Sequence, residues 1–409
     1  MTSRTRPRRA LAVLALLPAL LASTGCGSST GDAESDYAVM TWAPSGTGAS
    51  DRPGVTALAD LIGRAVNSKG GLNGHHLKVL TCNEHNTADG GNACVHQAVQ
   101  QKVIAVIGSY SLNSDALLSG LEAAKIPYIG GYGLTSAEFT SPLSYPVAGG
   151  TPALVIGNGR QLIAAGCRTV ALVRPDTMAG DALTGYLAGA LKPEGGQVVD
   201  VRVNETTPDY AAAARKALGD DRVGNCVSDT LAPGQSAGFL DAYRRLNAKH
   251  TQLGAVIGSV PQSALGPNGA ADGVLDNAYV TSWYPPTSGP AWDALRSTVG
   301  GNPIDVSDPA VQTTWVAYRV FLAAADRLHE AGKPMTSLSL REELESGDSL
   351  DTGGVTPQLS WSETLPSAES PRLVNTWVTF QQVKAGQLVE QQSGYLDMRW
   401  AFTGGQPPE

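Results

Sequence analysis

Residues 234–238, Gly-Gln-Ser-Ala-Gly, are a first candidate for chemistry because they fit the G-x-S-x-G pattern of a nucleophile elbow. In that pattern a histidine takes the proton of the attacking serine, and His250 or His329 could be this base. An elbow serine lies directly at a strand end, whereas residues 231–233 separate Ser236 from the predicted strand. We therefore expect Ser236 to cap a helix, and a serine hydrolase is the less favoured alternative.

Two cysteines and two histidines close together in sequence carry the ligand types of a zinc site. They are Cys82, His85, Cys94 and His96. Their spacing, C-x-x-H and then C-x-H, matches no standard zinc pattern, and an even number of cysteines in an exported protein favours disulfides. We predict no metal and two local bridges, each within one predicted lobe. The expected pairs are Cys82 with Cys94 and Cys167 with Cys226.

Residues 103–115, VIAVIGSYSLNSD, combine an apolar strand with polar side chains at its end. The apolar run has no alternating polar face, which is typical of a strand buried on both sides in a parallel sheet. Ligands of open α/β sheets bind beyond the carboxyl ends of strands, and the free N–H groups of a helix start favour an anion such as a carboxylate. We predict a ligand site here. Capping of the helix by Ser111 or Asn113 is the commoner use of these residue types, and both roles can hold at once.

Length and charge narrow the class of protein. Charged residues make up 16% of the 409 residues, the net charge is -8, and no basic stripe follows residue 10. This composition argues against nucleic-acid binding, which needs a basic face. The length exceeds what one ordinary core covers, so we expect two lobes.

The amino terminus is typical of an export signal. Basic residues precede an apolar run over 10–22 that is too short to span a membrane. The run ends in Ser-Thr-Gly-Cys, which resembles the lipobox of bacterial lipoproteins, although Ser23 stands where leucine is usual. We predict a signal peptide over 1–25, a lipid anchor on Cys26 and a flexible tether over 26–36, whose polar composition cannot form a core.

Strand and helix patterns alternate along most of the chain, which predicts the α/β class with doubly wound parallel sheets. A first series runs from 37 to 129, and a second begins with a strand over 169–173 and ends with one over 277–282. A long amphipathic helix is predicted over 312–330. The tail over 375–389 alternates like a hairpin around Ala385-Gly386.

The segment 67–77, NSKGGLNGHHL, resembles the helix-end signature of the extracytoplasmic substrate-binding proteins of branched-chain amino acid ABC importers. Further likenesses lie at 103–111, 271–273, around Tyr318 and at 353–355. The resemblance implies a type I periplasmic binding fold, in which two doubly wound parallel-sheet lobes are joined by three crossovers near 147–151, 281–284 and 354–357. The implied lobes are 37–148 with 283–355, and 149–282 with 356–409.

The ligand residues implied by the resemblance depart from the family pattern. Thr135 matches the family's ligand-binding threonine, but Leu112 replaces a serine, Ala179 stands where a tyrosine is usual, and Val260 replaces the acid that takes the ligand ammonium. Other residues near the predicted mouth could compensate, and packing or capping is the alternative role for each. The predicted ligand-binding set is Trp42, Ser45, Tyr110, Ser111, Leu112, Asn113, Tyr132, Thr135, Asp176, Asp229, Trp283 and Tyr284.

These features together predict a non-enzymatic solute-binding lipoprotein on the outer face of the cytoplasmic membrane. It would capture a small polar ligand, amino-acid-like or related but not simply leucine, isoleucine or valine, and deliver it to ABC permease subunits. We expect a monomer without a cofactor. A ligand sensor without a transport role is the alternative.

Overall fold

The computed structural model describes residues 36–48, 51–206, 208–260, 262–265, 273 and 275–408. The predicted signal peptide, Cys26 and all of the predicted tether but its last residue lie outside this part of the chain. Within it, no helix has both the length and the apolar character needed to cross a membrane.

The chain first builds a parallel sheet with the strand order β2-β1-β3-β4-β5. The strands are β1 (Tyr37–Trp42), β2 (Leu77–Cys82), β3 (Ala105–Ile107), β4 (Tyr128–Ile129) and β5 (Ser144–Tyr145). The helices between them are α1 (Pro53–Ser68), α2 (Ala88–Gln100), α3 (Ser114–Ala124) and α4 (Ala137–Thr140). Pro53 starts α1 where no N–H is needed, and the Thr87 side chain caps α2.

The next part of the chain builds most of a second sheet. Its strands are β6 (Thr169–Pro175), β7 (Gln197–Val203), β8 (Asn225–Asp229), β9 (Gln252–Val256) and β10 (Tyr279–Ser282). Its helices are α5 (Gly150–Ala164), α6 (Met178–Leu191), α7 (Tyr210–Leu218), α8 (Pro233–Arg244) and α9 (Gln262–Leu265). These strands pair in parallel, and α5 packs against β9 and β10.

The chain then returns to the first sheet and crosses back once more. The helices α10 (Asp293–Val299), α11 (Pro309–Glu330) and α12 (Ser337–Leu344) follow, and α11 packs against α1, β3 and β4. An antiparallel hairpin of β11 (Trp377–Lys384) and β12 (Gln387–Asp397) then completes the second sheet, and α13 (Arg399–Phe402) comes last. The second sheet has the order β12-β11-β10-β9-β8-β6-β7.

The predicted fold class is confirmed, since the structure has two mainly parallel α/β lobes and the chain passes between them three times. The passages lie between β5 and α5, between β10 and α10, and between α12 and β11. The hairpin around Ala385-Gly386 and both disulfides form as predicted; Cys82–Cys94 joins β2 to α2, and Cys167–Cys226 lies beside β6 and in β8. The residue boundaries of the lobes remain a proposal.

Some elements differ from the prediction, and the structure also decides one alternative that the sequence left open. Helix α5 and the short strand β5 were not predicted, because α5 is buried on nearly every side and shows no amphipathic period. Helix α8 begins at Pro233, with Ala232 at the cap position, so the expectation that Ser236 caps this helix is wrong. The zinc alternative is also wrong, because Cys82 and Cys94 are bonded to each other.

Candidate functional site

The turns that follow β1, β3 and β4 meet at the carboxyl edge of the first sheet. The Tyr110 N–H donates to the Trp42 carbonyl at 3.0 Å, and the Trp42 N–H donates to Ser109 Oγ at 3.1 Å. The Tyr132 N–H in turn donates to the Ser109 carbonyl at 3.2 Å. These bonds hold the three turns together as one surface, where a ligand of an α/β sheet is expected.

Helix α11 approaches this surface so closely that two of the turns require glycine. A Cβ atom on Gly108 would lie 2.7 Å from Thr314 Cα, and one on Gly130 would lie 2.3 Å from Ala317 Cβ. Both glycines have positive φ, at 58° and 65°. The Thr314 hydroxyl donates to the Gly108 carbonyl at 2.6 Å, so α11 fixes the turn after β3.

The turn over 111–113 is held mainly by Ser111. Its Oγ accepts the Asn113 N–H at 3.0 Å, and its carbonyl accepts the Ser114 hydroxyl at 3.3 Å. Asn113 is at the cap position of α3 but makes no side-chain cap bond, and the Leu112 side chain is 49% exposed. Contact of these three residues with a ligand remains a prediction.

A buried carboxyl group shapes the loop that carries Thr135. Glu138 accepts the backbone N–H groups of Gly133, Leu134 and Thr135 at 3.1, 2.7 and 3.0 Å. Burial raises the pKa of Glu138 to about 7, and these three N–H groups oppose part of the rise. Within the described chain the buried Thr135 hydroxyl has no hydrogen-bond partner, and its contact with a ligand stays a prediction.

Four of the predicted aromatic residues form a continuous row of ring contacts. The ring centroids of Tyr110 and Tyr132 are 5.0 Å apart, those of Tyr132 and Trp283 are 5.1 Å apart, and those of Trp283 and Tyr284 are 6.2 Å apart. Tyr132 also reaches the second lobe, where its Oη lies 2.9 Å from the position of a Cβ on Gly258. The carboxyl edges of the two sheets therefore meet at Tyr132.

Two other predicted ligand residues, Trp42 and Ser45, contact protein groups of the first lobe. The Trp42 ring is fully buried in the core of the first lobe and stacks on Tyr128 at 5.8 Å. Ser45 is in an exposed loop, where its N–H donates to Asn83 Oδ1 at 3.0 Å and its carbonyl accepts from Asn83 Nδ2 at 2.9 Å. Their contact with a ligand stays a prediction.

At the carboxyl edge of the second sheet, Asp229 binds groups of its own lobe. It accepts the Ser236 hydroxyl and the Leu231 N–H, the latter at 3.0 Å. Burial raises the pKa of Asp229 to about 6, and these two hydrogen bonds oppose part of the rise. The Ser236 hydroxyl is thus paired with a carboxyl group, and the backbone N–H of His250 donates to Asp221 Oδ1 at 3.0 Å.

A charged cluster occupies the same edge at the ends of β6 and β7. The buried guanidinium of Arg174 donates to Asp200 at 2.7 and 2.9 Å and to Asp181 at 2.6 Å. Asp176 is exposed and lies 3.7 Å from Arg202, which also binds Asp200. The charges of this edge therefore have partners inside the cluster.

The three passages between the lobes are tied to each other by side chains. The Trp283 Nε1–H donates to the Gly150 carbonyl at 3.0 Å, and the Trp361 Nε1–H donates to the Pro146 carbonyl at 3.1 Å. Asn375 Nδ2 donates to the Val147 carbonyl. All three acceptors are in or next to the first passage, so this segment is the common anchor of the connections.

The sequence and the fold match known proteins. The profile of the periplasmic binding protein family matches residues 40–385. The chain belongs to this family. The resemblance found in the sequence is thereby confirmed. None of the curated proteins matches the chain.

Solved structures of similar fold cover nearly all of this periplasmic binding protein. A substrate-binding periplasmic protein from Ralstonia solanacearum is 19% identical, with a TM-score of 0.71 over 87% of this chain and 100% of its own. A possible leucine/isoleucine/valine-binding protein from Rhodopirellula baltica is 14% identical, with a TM-score of 0.73 over 89% and 98%. A solute-binding protein of an ABC transporter from R. palustris, solved with benzoate, is 16% identical, with a TM-score of 0.69 over 89% and 98%.

Two charged residues beside the aromatic row of this binding protein were not predicted. The Arg52 guanidinium carbon lies 4.8 Å from the ring centroid of Tyr110, at the start of α1. Asp308 caps α11 by accepting the Ala310 N–H at 2.8 Å, and burial raises its pKa while the charge of Arg52 opposes the rise. The Asp-Pro pair at 308–309 is a helix-start signal that could have indicated the cap, whereas nothing local indicates Arg52.

Two surface depressions lie away from this edge. The larger, of about 580 Å³, is bordered by Lys125, Pro142, Leu338 and Arg341, near the points where β4 and β5 begin. The smaller, of about 220 Å³, borders residues 358–363 and Arg399. Because ligands of such sheets bind at the carboxyl ends of strands, we place the candidate site at the aromatic row.

Proposed function

We propose that this chain is an extracytoplasmic solute-binding protein that captures a small molecule between its two lobes and delivers it to an ABC importer. The observation that carries the proposal is the position of Tyr132, which belongs to the first lobe and contacts both the connecting residue Trp283 and Gly258 of the second lobe. A ligand bound there would touch both lobes at once. Its binding energy would then favour the closed arrangement.

We propose the ligand as a chemical class and not as a single compound. The ligand is a small organic molecule with a polar, amino-acid-like or related group, and it is not simply leucine, isoleucine or valine. Solved structures of the same fold include a protein bound to benzoate and a fatty acid transporter component from Thermomonospora curvata, which shows that the fold accommodates ligands other than amino acids.

A screen for binding and closure tests this function. The purified protein is melted with amino acids, amides, short peptides, polyamines and aromatic acids, because a ligand at about 100 times its Kd adds about 2.7 kcal/mol of stability. The ligand should also reduce the radius of gyration in small-angle scattering and change the fluorescence of Trp283, which lies at the lobe connection. If no compound class produces either change, the proposed function is wrong.

The cellular part of the proposal is membrane anchoring on the outer face of the cytoplasmic membrane by a lipid on Cys26, and action as a monomer beside permease subunits. The sequence of residues 1–36 supports it. Inhibiting the lipoprotein signal peptidase should leave uncleaved precursor, and Cys26→Ala should release the protein from membranes. Loss of ligand uptake on deletion of the gene separates import from sensing, since a sensor would leave uptake intact.

A further inference from the structure

Glu84 is a buried acid at the carboxyl edge of the first sheet. It follows β2, which ends at Cys82, and its side chain is fully buried. Neither of its carboxyl oxygens has a hydrogen-bond partner in the part of the chain that the structure describes. Buried polar groups in folded proteins nearly always have a partner, so we expect a group from outside the protein to bind this acid.

The other buried acids at the two edges differ from Glu84 because they have protein partners. Asp229 accepts a serine hydroxyl, and Glu138 and Asp308 accept backbone N–H groups. A ligand would have to compete with these partners. At Glu84 it would instead supply the missing hydrogen bonds, which is the more favourable exchange in a site shielded from water.

No cation balances the charge of Glu84 within the described residues. Burial raises its pKa to about 7, and the backbone N–H groups just before α2 oppose part of the rise without forming hydrogen bonds to it. The charge of Arg52 acts instead on Asp51 and Asp308. Glu84 is therefore a carboxyl group that lacks both a hydrogen-bond donor and a counter-ion.

The surroundings of Glu84 suit a positively charged group. Burial raises the pKa of Tyr128, and the charges of Glu138 and Glu84 add to the rise, so the Glu84 carboxyl group lies near that ring. The Trp42 ring stacks on Tyr128 with the centroids 5.8 Å apart, and aromatic faces attract cations. The buried Oδ1 atom of Asn86 also lacks a partner among the described groups, which adds a neutral acceptor.

The loop that carries Glu84 is fixed at the edge of the sheet. The disulfide of Cys82 joins the start of this loop to α2. Asn83 Oδ1 accepts the Ser45 N–H at 3.0 Å, which ties the loop to the turn after β1. A Cβ atom on Gly90 would lie 2.2 Å from the Glu84 carbonyl oxygen, so α2 packs directly on the backbone of Glu84. The acid is thus held where ligands of α/β sheets bind.

We propose that Glu84 binds a positively charged group of the ligand, such as a protonated amine, and is its counter-charge in the first lobe. Val260 is buried where the family has an acid in the second lobe, so Glu84 would supply this charge from the opposite lobe. The inference rests on the proposed function, because it assigns one contact of the same ligand.

Calorimetry on the purified protein compares compounds that differ in the charged group. L-phenylalanine is paired with L-phenyllactate, phenethylamine with phenethyl alcohol, and putrescine with butanediol. The measurements are made at about pH 8, where a carboxyl group with a pKa of about 7 is mostly ionised. We expect at least one amine to bind at least about 10-fold more tightly than its hydroxyl twin, the effect of one charge-assisted hydrogen bond.

Variants test the contact itself. Glu84→Gln should weaken binding of the preferred amine about 10- to 100-fold and remove its preference over the hydroxyl twin, because the amide has a similar shape and no charge. Glu84→Asp keeps the charge with a shorter reach and should retain part of this preference. The control Asp89→Asn removes a nearby exposed charge in the first turn of α2, and it should leave affinity within about twofold. Each variant is first checked for a native melting curve.

The outcomes separate this inference from the proposed function. If the tightest ligand with closure carries no positive charge, the inference is overturned and the solute-binding function stands. An amine preference that persists in Glu84→Gln also overturns it. A rise in melting temperature with sodium or potassium chloride, relative to tetramethylammonium chloride at equal ionic strength, that Glu84→Gln abolishes without weakening amine binding would assign Glu84 to an inorganic cation and overturn the ligand contact. If no compound of any class binds, the proposed function and this inference both fail.

Discussion

The two carboxyl edges that meet at Tyr132 are built from different side chains. The edge of the second sheet carries charges that bind each other, with the Arg174 guanidinium buried between Asp181 and Asp200. The edge of the first sheet carries aromatic rings and, among the residues described, a buried Thr135 hydroxyl without a partner.

Under the proposed function, this difference indicates that the two lobes have different roles in ligand binding. Groups that already bind each other gain little from a ligand, whereas an unpartnered hydroxyl and an aromatic surface gain contacts when a ligand arrives. We therefore infer that the first lobe selects the ligand and the second lobe mainly covers it. Stability and affinity measurements on variants of each edge test this difference.

The largest expected effect concerns the disulfides, one in each lobe. Removing Cys167–Cys226 by double substitution to alanine should lower the free energy of unfolding by about 4 kcal/mol, and removing Cys82–Cys94 by about 3 kcal/mol, because the first closes the longer loop. Their sequence separations are 59 and 12 residues. Urea unfolding measures both values. Equal losses of free energy would mean that loop length does not determine how much each disulfide stabilises its lobe.

The next effect concerns the charged edge of the second lobe. Arg174→Ala should lower the free energy of unfolding by about 3 kcal/mol, because it removes a side chain that is 1% exposed and leaves Asp200 and Asp181 without their main partner. Arg202→Ala is the matched control. Its side chain is 55% exposed, and its loss should cost less than about 1 kcal/mol.

The result for Arg174 also tests the different roles of the two lobes through ligand binding. Affinity for the ligand in Arg174→Ala should stay within about threefold of the original value, which is less than one ordinary hydrogen bond. A loss of affinity of about tenfold or more would show that the charged edge takes part in selection.

Much of this architecture could be predicted from local sequence patterns. The hairpin at Ala385-Gly386 and the parallel order of the strands depend on turn residues and apolar runs that neighbouring positions reveal. Helix α5 was missed because Gly150, Gly157 and Gly159 interrupt it and it is buried on almost all sides, which removes the periodic signal.

The candidate site was harder to predict than the fold. Arg52, Glu138 and Asp308 lie beside the aromatic row only because α1, α4 and α11 are brought to one edge by the sheet, and a linear pattern does not report that. Conversely, Trp42 was predicted at the mouth from its position at a strand end. Its ring packs in the core against Tyr128, since side chains alternate between the faces of a strand, and its contact with a ligand stays a prediction.

A smaller effect is expected from pH, through one carboxyl group at each edge. Burial raises the pKa of Glu138 from 4.5 to about 7 and that of Asp229 from 3.8 to about 6. The folded protein therefore holds protons between about pH 4 and pH 7 that the unfolded chain has released, so the free energy of unfolding should fall by about 1 to 3 kcal/mol as pH rises through this window.

Substitutions of the buried carboxyl groups show which edge causes the pH dependence of the free energy of unfolding. Burial also raises the pKa of Glu84 to about 7, so Glu138→Gln and Glu84→Gln should each remove part of the slope nearest pH 7. Asp229→Asn should remove the part nearest pH 6, whereas Glu342→Gln at an exposed position should leave the curve unchanged. Urea midpoints measured across this range give the slope. A stability that rises with pH through the window would contradict the assignment of both carboxyl groups.

The smallest effect is expected at Ser45, on the exposed border of the first edge. Both of its hydrogen bonds to Asn83 use the backbone of Ser45, so Ser45→Ala keeps them and should change the free energy of unfolding by less than about 0.5 kcal/mol. Asn83→Ala removes both bonds and the one that Asn83 Oδ1 accepts from the His85 N–H, and should cost at least about 1 kcal/mol. If the first lobe selects through its aromatic surface, Ser45→Ala also leaves ligand affinity within about twofold. A larger loss of affinity in Ser45→Ala, measured by calorimetry, would extend the selecting surface from the aromatic row to this loop.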